Sequence, residues 1–156
     1  MNVAPKPEAR ELVINREIAA PRAAVFSAWT DPERAARWWA PRDFILLSCS
    51  MDVRPGGQWH RRMRAPGGEV FVKRGTYREV TAPERLVFTY TTDYQAGTSD
   101  PETVVHLTFA ELAPRLTRLT LWHTGLDAEI LRDGHQGGWT SALERFGAFL
   151  STDTFP

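Results

Sequence analysis

The side chains with most chemistry to offer in this 156-residue sequence are four histidines, one cysteine and a large set of arginines. His60, His106, His123 and His135 stand too far apart for the His-x-x-x-His spacing that places two imidazoles on one metal ion, so no metal site is expected. His60 and His106 have the strand parity opposite to their apolar neighbours and should face solvent. His123 and His135 should reach the mouth of an interior pocket, as hydrogen-bonded rim residues or as a polar anchor for a ligand. Cys49 lies in the apolar run 44–53, where a buried inert thiol is the expected state. Nucleophilic catalysis needs a base held beside Ser or Cys, and the strained Gly-x-Ser-x-Gly elbow does not occur. Gly56-Gly57 and Gly67-Gly68 fall in hairpin turns, not between a strand and a helix, so neither is a phosphate loop. No catalytic residue and no cofactor are expected. Arg16 shares parity with Ile14 and Ile18, and a half-buried guanidinium there calls for a carboxylate such as Asp52 or Glu79. Arg61, Arg62 and Arg64 read as a solvated basic segment.

These residues must be positioned by elements that the apolar spacing delimits. Residues 11–19 alternate as a strand, and Pro21 opens a helix carrying Val25, Phe26 and Trp29 on one stripe. Thr30-Asp31-Pro32 caps a second short helix over 33–39. Strands follow at 43–53, 58–64, 70–80, 85–92, 102–111 and 115–124, separated by Gly- and Pro-rich turns and by a long polar tip over 93–101. From residue 128 the period becomes helical, with Trp139, Leu143, Phe146 and Leu150 on one face. Gly134, Gly137 and Gly138 each weaken that helix by about 1 kcal/mol relative to Ala, so its first half is expected to bend or begin irregularly. The fold class is α+β, with a curved antiparallel sheet of six to seven strands that needs one face covered. Only the final helix is long enough to cover it, and its four stripe residues would contribute on the order of 6–12 kcal/mol gross.

Composition narrows the partners. Lys+Arg and Asp+Glu both total 19, so the chain has no broad field with which to attract nucleic acid or an anionic membrane. Of the basic residues 17 are Arg and only Lys6 and Lys73 are Lys. One cysteine excludes an internal disulfide. The N-terminal residues lack a signal-peptide core and no apolar run approaches ~20 residues, so a cytoplasmic protein without membrane insertion is expected. Residues 1–10 read as a disordered tail, 11–150 as one domain and 151–156 as a second tail. Monomer and homodimer are equally compatible with the sequence.

The segments Asn15-Arg16 to Pro21, Trp29-Thr30-Asp31-Pro32-Glu33 and Trp38-Trp39-Ala40-Pro41 resemble the opening of one bacterial family. Asp52-Val53-Arg54-Pro55-Gly56-Gly57-Gln58-Trp59, Gly75 to Glu79, and His135 with Gly138-Trp139 are similar to its middle and end. The family comprises the bacterial homologues of the activator of the ninety-kilodalton heat-shock protein ATPase. It belongs to the helix-grip superfamily together with START lipid-transfer domains, polyketide cyclases and the birch pollen allergen. The resemblance implies a fold and a pocket rather than a reaction.

A long helix laid across a strongly curved sheet tends to leave a hollow between them. Strand parity and helical spacing name its expected lining: Trp39, Trp59, Met63, Phe88, Tyr90, Leu107, Leu121, His123, His135, Trp139 and Leu143. A dry void of ~300 Å³ would cost about 7 kcal/mol at ~24 cal/mol per Å³, so such a space must hold water or ligand or be filled by tryptophan. Binding of a small apolar or amphipathic molecule is the leading expectation. A chaperone-type protein partner is the alternative, and a cyclase- or hydrolase-type enzyme the third.

Overall fold

The computed structural model describes residues 11–41, 43–127 and 129–152, so the two expected tails lie almost wholly outside the described residues. β1 (Glu11–Ile18) leads into α1 (Arg22–Thr30) and the one-turn α2 (Pro32–Ala35). β2 (Ile45–Met51), β3 (Gln58–Arg64), β4 (Val70–Thr81), β5 (Arg85–Tyr94), β6 (Thr103–Ala113) and β7 (Leu116–Thr124) then run as a meander, and α3 (Glu129–Thr152) closes the chain. The seven strands form one antiparallel sheet in the order β1-β7-β6-β5-β4-β3-β2. The first strand therefore pairs with the last, and every other pairing is between sequence neighbours.

Period-two burial makes the concave layer. Phe109 faces Leu119, Leu107 faces Leu121 and Val105 faces His123 across β6 and β7, and Ile14 continues the row from Leu121 onto β1. All of these are buried, as are Trp139, Leu143, Phe146 and Leu150 of α3, so the helix lies on the concave side. α1 is wedged beside it. Trp29 sits within 6.0 Å, ring centre to ring centre, of Trp38, Trp39, Trp139 and Phe146, and Phe26 meets Phe109 edge-on at 5.3 Å.

Three elements differ from the sequence reading. The second helix stops at Ala35, four residues early, and Trp38 and Trp39 sit in the turn beyond it. A continuing helix would turn successive side chains ~100° apart. The turn instead buries both rings, with Trp38 Nε1 donating to Ala28 O at 2.9 Å. The strand expected over 43–53 is trimmed to Ile45–Met51, because the Asp52 N–H already closes the turn onto Gln58 O at 2.9 Å. α3 runs unbroken through Gly134, Gly137 and Gly138, since elongation from an anchored turn is far easier than nucleation and Trp139 anchors it just beyond them.

Candidate functional site

A cleft of about 320 Å³, partly open to solvent, lies between the first half of α3 and strands β3 to β5. Helical spacing chooses its upper wall. Leu131, Gly134, His135, Gly138, Trp139 and Ala142 recur at three- and four-residue intervals, which is one face of one helix. A Cβ added at Gly134 or Gly138 would meet nothing within 4 Å, so the two glycines leave open space that larger residues would occupy. The floor comes from Met63 of β3, Lys73 of β4 and Tyr90 and Tyr94 of β5, while Trp39 and Pro41 close one end. Trp39 meets Trp139 edge-on at 5.2 Å.

The polar equipment is small and definite. Lys73 Nζ donates to Thr92 Oγ1 at 2.9 Å and lies 5.4 Å from the centre of the Tyr90 ring. Tyr94 OH donates to Asp100 Oδ2 at 2.8 Å, and burial, followed by that carboxylate, pushes the phenol up to about 12. His135 Nδ1 lies 2.9 Å from Leu131 O. A carbonyl only accepts, so Nδ1 carries the proton and Nε2 keeps a lone pair. Burial lowers the His135 pKa, which favours this neutral form.

Behind the cleft, His123 is fully buried in a chain of hydrogen bonds whose direction is determined. Trp139 Nε1 can only donate, and it does so to His123 Nδ1 at 3.0 Å. Thr103 Oγ1 spends its proton on Tyr90 O at 2.8 Å, so its 2.6 Å contact with His123 Nε2 is accepted from an Nε2–H. One neutral tautomer satisfies every member. Desolvation, reinforced by the nearby His135 and Lys73, holds the His123 pKa well below the imidazole range. Both ring nitrogens are committed, so His123 is a strut under Trp139 rather than a proton-transfer group.

The expected lining thus divides. Trp39, Met63, Tyr90, His135 and Trp139 line the cleft. Trp59 and Phe88 line a neighbouring hollow too narrow for water, and Leu107, Leu121 and Leu143 are packed core. Lys73, Tyr94 and Asp100 also line the cleft and are absent from the expected set. Lys73 did carry a signal, as one of only two lysines beside 17 arginines. The solvated-face reading of Arg61 is overturned: the side chain is 2 % exposed, because it shares the inward parity of Trp59 and Met63. Arg16 donates to Asn15 O at 2.9 Å, whereas Asp52 and Glu79 are engaged by Arg54 and Arg85 at 2.9 and 3.1 Å. Among the described residues no cluster of three His, Cys, Asp or Glu could hold a metal ion.

The model of the family described as "Activator of Hsp90 ATPase homolog 1-like protein" matches residues 19–151, nearly the whole of this architecture. The chain belongs to that family. No curated protein matches it. Among solved structures, it is similar to an uncharacterised protein of Rhizobium leguminosarum at 25% identity and TM-score 0.81, over 92% of this chain and 95% of that one. The AHSA1 protein of Silicibacter pomeroyi shares the fold at 24% identity and TM-score 0.80, covering 90% and 97%. CalU16 of Micromonospora echinospora is 28% identical with a TM-score of 0.68, covering 92% and 78%. The helix-grip fold expected of an AHSA1-like chain is therefore the fold observed, and no helix among the described residues is long and apolar enough to cross a membrane.

Proposed function

We propose that this AHSA1-like protein binds a small amphipathic molecule in the cleft beneath α3. The observation that carries the reading is the pairing of aromatic walls with two wall glycines. Trp39, Tyr90 and Trp139 offer apolar faces, while Gly134 and Gly138 keep the space between them open at about 1 kcal/mol each in helix propensity. Lys73, Asp100, the Tyr94 hydroxyl and the His135 lone pair supply the few polar contacts that orient a ligand in an otherwise apolar site. The same groups let the cleft hold water when empty, which removes the cavity cost that a dry void would carry.

Gly138→Leu tests the reading. A leucine there gains nearly 1 kcal/mol in helix propensity and projects into the open space. The variant should melt no lower than the wild type, yet bind 8-anilinonaphthalene-1-sulfonate and its displacing ligands more than tenfold more weakly. Equal binding by the two proteins would move the ligand site elsewhere. Family membership supports a second reading, a contact with a chaperone-type partner. Exposed Val13 and Trp122, cross-strand neighbours on β1 and β7, are the apolar surface that would serve it. A pull-down that leaves chaperones behind, made alongside a Trp122→Ser control, counts against this alternative.

A further inference from the structure

Next to the cleft lies a dry hollow whose lining is unusual in its charge. Arg61 projects into the concave side of β3, with its guanidinium carbon 3.6 Å from the centre of the Trp39 ring and 4.8 Å from that of Trp59. Among the described residues no carboxylate pairs with it. Its neighbours are the Met51 sulfur, 3.5 Å from one terminal nitrogen, and the side chains of Cys49, Tyr77 and Tyr90. Desolvation lowers the Arg61 pKa, but a guanidinium stays charged inside proteins. Contact with two indole faces and weak hydrogen bonds to the Met51 and Cys49 sulfurs offset only part of what burying a cation without a carboxylate costs.

Trp29, Trp59 and Arg61 all line this hollow, and each carries an N–H without an acceptor: Trp29 Nε1, Trp59 Nε1 and Arg61 Nε. Buried polar groups are ordinarily satisfied; Trp59 Nε1 lies over the Gly75 and Thr89 backbone, and the unmet donors of Trp29 and Arg61 beside the hollow mark a missing acceptor. Trp39 is the partition, since its ring lines the hollow on one side and the cleft on the other. Charge points the same way. The formal charges of Lys73 and Asp100 cancel among the residues lining the cleft, which leaves Arg61 in the adjoining hollow as the excess.

We propose that the cleft and the hollow are two ends of one site for an amphipathic anion, whose carboxylate or similar oxyanion head pairs with Arg61 once Trp39 rotates aside. This rests on the cleft being a ligand site, and adds the class of ligand and the residue that selects it. The apolar body lies between Trp39, Tyr90 and Trp139, and the head receives the donors that the empty protein leaves unpaired.

Decanoate and decanamide share a chain and differ in charge, so calorimetric titration with each is the test. Decanoate is expected to bind at least tenfold more tightly, and Arg61→Met to abolish that preference while still binding decanamide. Should both ligands bind the wild type equally, the anion assignment is overturned and the cleft reading survives. Should neither bind, both readings fall. If Arg61→Met does not fold, a crystal structure of the wild type with decanoate decides. A carboxylate bonded to Arg61 with Trp39 displaced upholds the proposal, whereas one bonded to Lys73 with Trp39 in place overturns it.

Discussion

Gly75→Ala is expected to abolish folding, with the purified chain showing no cooperative melt and no native near-ultraviolet signal from its tryptophans. An added Cβ would collide with the Thr89 carbonyl oxygen and lie 2.7 Å from Trp59 Nε1. The indole could shift, but Thr89 O belongs to the backbone of β5, the strand beside β4 in mid-sheet, and has nowhere to go. The β4–β5 ladder already opens at this point. Pairing lapses between Arg74↔Thr91 and Tyr77↔Phe88, and Thr76 N–H turns to Thr89 Oγ1 at 2.8 Å. A glycine that lets the backbone approach so closely is the usual device for bending a sheet. Gly75 also faces Trp59 across β3, so the indole covers the place where a side chain is missing. Without the bend the sheet could not curl around α3, and the cleft would lose its floor. A Gly75→Ala protein that melts within a few degrees of the wild type would show that the strand relaxes, and would remove this account of the curvature.

That glycine shows why the fold could be read and the site only in part. Period-two strands, the stripe from Trp139 to Leu150 and the Pro-Gly turns are local signals, each visible within a dozen residues, and they suffice for the helix-grip arrangement. Curvature is not local. Nothing around Gly75 distinguishes a glycine required by a neighbour's carbonyl from one tolerated on a surface. The cleft depends on the same non-local fact: Lys73, Tyr94 and Asp100 meet only because β4 and β5 pair and the tip between β5 and β6 folds back, with Asp100 N–H bonded to Thr92 O at 2.9 Å.

Arg61 is a different kind of omission. Its strand parity is that of Trp59 and Met63, but arginines are so seldom buried without a partner that charge argues against the pattern. A residue that breaks a local rule without evident compensation is where function is to be sought. The leucines at 107, 121 and 143 err the other way. Their parity was right, but inward-facing residues near the centre of the layer pack against α1 and the later turns of α3, and only the end beneath the glycines stays open.

Acid should destabilise this protein well above the carboxylate range, and His123 should account for much of the loss. In the fold its imidazole is held neutral, with a pKa well below that of the unfolded chain, so the unfolded state binds more protons as pH falls. For a base depressed by burial, the stabilisation is complete above the unfolded value of about 6.5 and drains away as pH drops toward the folded one. His135, lowered in the same direction, adds to the slope, which is at most about 1.4 kcal/mol per pH unit for each histidine. His123→Leu separates the two contributions. At pH 8 it should cost roughly 2 kcal/mol, because leucine leaves the Trp139 N–H buried with no acceptor. At pH 5 that deficit should shrink or reverse, since the unfolded wild type by then gains a proton on His123 that the folded ring, with no room for a second N–H, excludes, while the leucine has nothing to titrate. Urea titrations of both proteins at pH 8, 6.5 and 5 give the comparison. A deficit that stays constant across the series would mean that His123 is charged or neutral alike in the folded and unfolded chains, and the hydrogen-bonded strut beneath Trp139 would have to be redrawn.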